Sequence, residues 1–191
     1  MIITTVPLKH NLNIPTVQVT LFINYEDESK VFQTLNILDK HRYHDDFVSL
    51  IKELMREDLF HVKNTMNNPK EIIDYLCDEL IEKGLATQSY KEDVFRREAV
   101  SATSFVNGFA VPHSIEVSAN ESCISTLILD KPVIWGGFEV KLIILLAIRE
   151  TDNHLLKIFF DWLSSIVANS KKFEQLLEVN NYEEFMKEII A

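Results

Sequence analysis

The stretch Asn107-Gly108-Phe109-Ala110-Val111-Pro112-His113-Ser114 sets how this chain is understood. A short apolar run ends in a proline and then a histidine. Pro112 fixes its own backbone dihedral just ahead of the imidazole. A strand end is where a sheet protein holds a reactive side chain rigidly while the following loop leaves it open. With an ordinary pKa of about 6.5, a histidine there is largely neutral and nucleophilic near pH 7. His113 is the first candidate for chemistry.

On both sides of it, short strands are expected around residues 104–106, 109–111, 122–129, 133–135 and 140–148, with Asp130-Lys131-Pro132 and Gly136-Gly137 as turns. The run Leu142 to Ile148 is too short to span a bilayer and reads as a buried strand. Upstream, Asn68-Pro69-Lys70-Glu71 combines an N-cap, a first-turn proline and a third-position glutamate. Ile72, Ile73, Leu76, Cys77, Leu80 and Ile81 make that helix's apolar stripe, and Gly84 stops it. Ser89-Tyr90-Lys91-Glu92 reads as a second capping box. Downstream, a long helix is expected over 153–168, then two shorter ones over 173–177 and 182–190, the last capped by Asn181. The N-terminal part reads as strands at 2–6 and 16–23, then helix from Asp27 to Leu54, interrupted at His41–Asp46 by a bend or a helix–helix connection. A polar boundary opens at Arg56-Glu57-Asp58, which places the domain border near 56–60. Helices flanking a central sheet, an α/β architecture, is the simplest arrangement.

The totals agree with a domain holding a sizeable core. The chain has 191 residues, 47% of them hydrophobic and 25% charged. A net charge of −10 argues against direct nucleic-acid binding, which needs a face able to neutralise many phosphates. The start of the chain lacks the apolar stretch of a signal peptide, and no membrane insertion is expected. Cys77 and Cys123 fall in apolar patterns far apart, and read as reduced core thiols in a cytoplasmic setting.

Among the other histidines, His10, His41, His44 and His61 sit among polar neighbours and read as solvated. His154 opens the long helix, where free N–H groups and a partial positive charge suit an anion. A zinc site would need a third ligand, and neither His113 nor His154 has a partner at i+3 or i+4 in a ligand pattern. There is no G-x-S-x-G, P-loop or dinucleotide fingerprint. No metal and no cofactor are expected.

Residues 60–191 resemble the enzyme IIA domain of the fructose–mannitol class (type 2) in the bacterial sugar phosphotransferase system. The resemblance is carried by Arg97-Glu98, by Asn107 to His113, and by Asp152-Asn153-His154-Leu155-Leu156 after the apolar strand. It implies a mixed central sheet flanked by helices and a phosphoryl group accepted by His113 from the phosphohistidine carrier protein HPr. It implies Arg97 as the fork for the phosphate oxygens and His154 as a hydrogen-bond donor to them. Such a transfer needs no metal if cations and N–H dipoles cover the developing charge. Glu98 is expected to hold a neighbour in place. Two positions depart from the family pattern: Ser114 follows the acceptor where glycine is usual, and Asn153 precedes the second histidine where many relatives carry glutamate.

Residues 1–40, with Ile2 to Leu8 and Ile14 to Val17, resemble the closing half of a galactitol-type enzyme IIB domain without its first strand and cysteine. Residues 41–59 then form a linker. This order is similar to the C-terminal regulatory part of large transcription regulators of the BglG/LicR type, antiterminators and activators. The expected function is phosphorylation of His113 as a report of sugar supply. The alternatives are an enzyme IIA of sugar transport that passes phosphate to enzyme IIB, and an interaction domain that is not phosphorylated. Enzyme IIB or other regulatory domains are the further expected partners. A homodimer is expected through the N-terminal strands, whose apolar stripe Val17, Val19, Leu21, Ile23 wants cover.

Overall fold

The computed structural model describes residues 1–8, 14–21, 24–116, 118–167 and 169–190; for 36–46, 63, 165 and 167 it describes the backbone only. His10 therefore lies outside the described residues, as do Ile23 and the side chains of His41 and His44. The chain divides into two compact units, Met1–Val48 and Ser49–Ala191.

In the first unit, β1 (Ile2–Thr4) and β2 (Thr16–Gln18) pair in parallel, with Ile3 opposite Val17. The stripe expected to want cover is only partly exposed: Val17 and Val19 are buried, whereas Leu21 is 77% exposed. Helix α1 (Tyr25–Leu54) begins at Asn24, whose side-chain oxygen accepts the N–H groups of Glu26 and Asp27. Asp27 is buried, and its carboxylate accepts the Thr20 N–H and hydroxyl and the Asn24 N–H. These donors hold it below the usual carboxylate range, the Thr20 hydroxyl first. The backbone of α1 is continuous through His41–Asp46, so no bend or connection interrupts it there.

The second unit carries a five-stranded mixed sheet in the order β3-β6-β7-β5-β4. Its strands are β3 (Met55–Asn64), β4 (Ser104–Phe105), β5 (Phe109–Ala110), β6 (Ser118–Trp135) and β7 (Phe138–Arg149). β3 runs through the polar segment expected to be a boundary. It is an edge strand, parallel to β6, and a register shift between Met55 and Phe60 leaves Arg56, Glu57 and Asp58 outside the regular pairing. Asp130-Lys131-Pro132 is not a turn but part of β6, where a register shift between Ile128 and Val133 absorbs the proline. Gly136-Gly137 is the hairpin turn between β6 and β7, both residues having positive φ.

Helices α2 (Pro69–Glu82) and α3 (Gln88–Val100) cover one face. Asn68 caps α2 as its sequence requires, with the side chain accepting the Lys70 N–H. The cap of α3 is Thr87, two residues earlier than the Ser89 box; its hydroxyl accepts the Tyr90 N–H. Ile72, Ile73, Leu76 and Leu80 of α2 join Tyr90, Val94, Leu127, Ile143 and Leu145 in one buried cluster. The alternate β7 residues Leu142, Ile144 and Leu146 are buried as well. A strand buried on both faces loses the period-two pattern, which is why 142–148 reads as a continuous apolar run. On that second side Phe60 meets Phe185 of α6 (Tyr182–Ile190) with ring centroids 4.8 Å apart, and Phe109 meets Phe173 of α5 (Ser170–Leu177) at 6.0 Å. Helix α4 (His154–Val167) follows β7 through a 3-10 turn at Glu150–Asp152.

Candidate functional site

His113 sits where the sheet gives out. It pairs with Leu146 of β7 in an isolated parallel bridge, and the Leu146 N–H donates to the Pro112 carbonyl at 3.0 Å. The buried Tyr90 hydroxyl donates to the Leu146 carbonyl at 2.7 Å, so α3 braces the strand against which His113 rests.

The ring is oriented by two contacts. Its Nδ1 lies 2.8 Å from the Val111 carbonyl oxygen. A carbonyl only accepts, so Nδ1 carries the proton and Nε2 keeps its lone pair. Arg97, on the last turn of α3, donates from Nε to His113 Nε2 at 3.3 Å, and from Nη1 to the Ser101 carbonyl at 2.9 Å. Phe160 of α4 stands edge-on to the imidazole, with centroids 6.5 Å apart. Burial lowers the His113 pKa below its ordinary value; the Val111 carbonyl opposes this, the Arg97 charge adds to it, and Glu98 opposes it. A neutral imidazole with a free Nε2 facing a guanidinium is a nucleophile aimed at an anionic electrophile.

Glu98, next along α3, accepts from the Thr103 N–H at 3.1 Å, from the Thr103 hydroxyl at 2.6 Å and from the Trp135 indole N–H at 2.6 Å. These bonds tie the end of α3, and with it Arg97, to the segment before β4 and to the end of β6.

His154 is the first residue of α4. Its side chain is exposed and, with Arg149, Asp152, Glu121 and Arg56, lines a cleft of ≈ 430 Å³. Six residues before Phe160, it lies about 9 Å back along α4 and about 120° around it from the face that touches His113. Arg149 and Ser122 both bond Asp152 in this cleft. The structure thus brings Arg97 to His113 and gives His154 no hydrogen bond to either among the described residues.

Three residues of consequence were not singled out for these roles in the sequence. Tyr90 looks like a core aromatic, and only the fold shows its hydroxyl on Leu146. Asp93 is buried and accepts the Glu116 N–H at 2.8 Å, just beyond His113; its i, i+4 spacing from Arg97 was the available signal. His61, expected to be solvated, is half-buried in β3, with Nε2 2.8 Å from the Glu79 carboxylate and Nδ1 3.4 Å from the Tyr75 hydroxyl. This network joins β3 to α2. Cys77 and Cys123 are free and buried, and burial pushes both thiols up to about 12.

Comparison with known proteins gives this geometry a family. Residues 53–191 match the family model for the phosphoenolpyruvate-dependent sugar phosphotransferase system, EIIA 2. The mannitol-specific phosphotransferase enzyme IIA component of Halalkalibacterium halodurans is 30% identical over 139 residues, 70% of this chain and 92% of that protein. The probable licABCH operon regulator of Bacillus subtilis is 24% identical over 183 residues, 96% of this chain; the chain spans only 27% of that regulator's length. Among solved structures, the enzyme IIAMtl of Escherichia coli, determined in complex with phosphorylated enzyme IIBMtl, superposes with a TM-score of 0.61 at 16% identity, over 71% of this chain and 98% of that one. The mixed sheet with its flanking helices is the fold of that protein. The chain belongs to the enzyme IIA type 2 family of the sugar phosphotransferase system.

Proposed function

We propose that this chain is the regulatory region of a transcription regulator controlled by the sugar phosphotransferase system, and that His113 is its phosphoryl acceptor. The observation that carries the reading is the state of the His113 ring: proton on Nδ1, lone pair on Nε2, Arg97 beside that nitrogen. In the proposed step the Nε2 lone pair attacks the phosphorus of a phosphohistidine on the carrier protein HPr. The new P–N bond forms as the donor's P–N bond breaks, and the donor imidazole leaves with the electron pair. With a proton on the donor ring's other nitrogen, one neutral imidazole replaces another and no proton need move; the His113 proton stays on Nδ1, donated to the Val111 carbonyl. Arg97 covers the charge of the phosphoryl oxygens.

His154 is the third member of the proposed site, as the family resemblance has it. β7, which flanks His113, runs through one 3-10 turn into α4, whose Phe160 edges onto the ring. Residues 1–40 are proposed as the enzyme IIB-like segment, 41–59 as the linker and 60–191 as the enzyme IIA domain.

The regulator reading is supported by the match over nearly the whole chain to the licABCH operon regulator. A second reading, an enzyme IIA of sugar transport passing phosphate to an enzyme IIB, is favoured by the 92% coverage of the mannitol component. A regulator or transport component of this kind works in the cytoplasm, and among the described residues no helix is long and apolar enough to cross a membrane. The net charge of −10 argues that nucleic acid is bound elsewhere in such a regulator.

The test is incubation with phosphoenolpyruvate and the two general phosphotransferase proteins, followed by mapping of acid-labile phosphate. Label on His113 that disappears in His113→Ala supports the reading. Label at normal level in His113→Ala ends it. His154→Ala should slow labelling by on the order of 10–1000-fold if His154 donates in the transition state. Upstream nucleic-acid-binding helices in the full-length gene favour the regulator, membrane spans the transporter.

A further inference from the structure

Helix α3 presents two charged residues one turn apart, Asp93 and Arg97, on the same side. Arg97 reaches the His113 ring, and Asp93 reaches the chain three residues beyond it. The two sides of His113 are anchored very differently. On the N-terminal side, Pro112 is held by the Leu146 N–H and Val111 by the Thr103 carbonyl. On the C-terminal side the ladder ends at the single His113–Leu146 bridge. Residues 114–116 have no strand partner among the described residues, and Asp93 takes that place.

Asp93 is only 5% exposed. It accepts the Glu116 N–H at 2.8 Å and is gripped by Arg96 from the same helix. The Ser114 hydroxyl donates to the Glu116 carbonyl, so both backbone groups of Glu116 are engaged. A buried carboxylate is costly, and mid-helix it gains nothing from the helix dipole. Burial raises its pKa, but the Glu116 N–H and Arg96 outweigh that and hold it below the usual range. The loop it holds, together with Arg96, accounts for its burial.

We propose that Asp93 is a positioning residue for phosphoryl transfer. By holding the Glu116 N–H it fixes the backbone of 114–116, and so keeps the His113 ring with Nδ1 on Val111 and Nε2 facing Arg97. Ser114 closes the same loop from its other end through its bond to the Glu116 carbonyl. The inference rests on the reading of His113 as the acceptor.

The experiment compares the wild type with Asp93→Ala and Asp93→Glu, using phosphoenolpyruvate and the two general phosphotransferase proteins as the phosphate source. Three quantities are read: the labelling rate at saturating phosphorylated donor, the donor concentration for half-maximal rate, and the His113 tautomer by nitrogen NMR. Asp93→Ala should lower the saturated rate by about 10–100-fold, the effect of a misplacement of about 1 Å. The half-saturating concentration should stay within about twofold, the Nδ1–H form should lose population, and Asp93→Glu should restore part of the rate. An unchanged rate and tautomer in Asp93→Ala, with the wild type labelled normally, overturns the proposal. If the wild type takes no phosphate, the acceptor reading fails, and the tautomer populations still decide the role of Asp93. Should Asp93→Ala not fold, the wild-type Glu116 amide is decisive: exchange slowed at least about tenfold relative to an open chain supports the clamp, and unprotected exchange removes it.

Discussion

Arg97 Nε lies 3.3 Å from His113 Nε2, while the Val111 carbonyl lies 2.8 Å from Nδ1 on the other side of the same ring. The imidazole is thus held between an acceptor and a permanent cation. Burial makes the ring resist protonation, and Arg97 adds to this because a second proton would have to go onto Nε2 beside the guanidinium, while the Val111 carbonyl works against it.

Removing that cation should raise the His113 pKa: Arg97→Gln titrates higher than wild type by NMR, whereas His154→Gln leaves it where it was. In the wild type the labelling rate should be flat above about pH 6.5 and fall in acid with a midpoint below that value. The sign for stability is the same. A histidine whose folded pKa is depressed binds fewer protons folded than unfolded, so its contribution is intact above about pH 6.5 and is lost as pH falls through the window down to the folded pKa. A His113 pKa that does not move in Arg97→Gln would show that the guanidinium is not sensed by the ring. In kinetics Arg97→Ala should slow labelling by on the order of 100–1000-fold, with Arg97→Lys in between, since a lysine keeps the charge but not the fork.

The hairpin turn offers a test of the fold. Gly136 has φ of +57°, and a Cβ there would collide with the Ala102 Cβ and lie 2.9 Å from the Ser104 Oγ. Gly136→Ala should cost roughly 2–5 kcal/mol in urea unfolding, the left-handed strain plus the overpacking. Gly137 has φ of +95° but open space, so Gly137→Ala should show the strain alone, roughly 1–2 kcal/mol. Equal losses at the two sites would mean that the contact with Ala102 is relieved at no cost.

Cys77 and Cys123 should be inert to thiol reagents at pH 8 in the folded protein, since both thiols are buried and pushed up to about 12. Both should react at once in denaturant. Rapid native-state modification of either would mean that the core around Tyr90 opens locally.

In the first unit Ile3 is 52% exposed and Val6 62%, and a two-stranded ribbon is marginal on its own in water. We expect two copies to associate through these strands. Sedimentation should show the whole chain heavier than a monomer and a chain starting at Ser49 monomeric. A monomeric whole chain, or an equally associated shorter one, removes the N-terminal strands as the cause.

Much of the second unit is legible in its sequence, and for local reasons. Asn68 and Pro69 fix the start of α2, Asn181 caps α6 by accepting the Glu184 N–H, and paired glycines force the hairpin. Each of these is an interaction over four residues or fewer. β3 was not legible, because the register shift between Met55 and Phe60 in this edge strand interrupts the alternating pattern at Arg56, Glu57 and Asp58. Nor was the unbroken course of β6, since a bulge lets Pro132 sit inside a strand that would otherwise exclude it.

The candidate site divides in the same way. Sequence alone marked His113 as the candidate reactive histidine, through the apolar run, the proline and the family motif that surround it. It also marked Arg97 and His154, without the means to say which of them meets the ring. The folded chain was needed to show that Arg97 touches Nε2, that Val111 sets the tautomer and that Tyr90 braces Leu146 from 56 residues away. It alone revealed Asp93 at the loop beyond. The physical reason is range: caps and turns are satisfied by neighbours in the chain, whereas the partners of a reactive ring are groups that meet only after the sheet has formed.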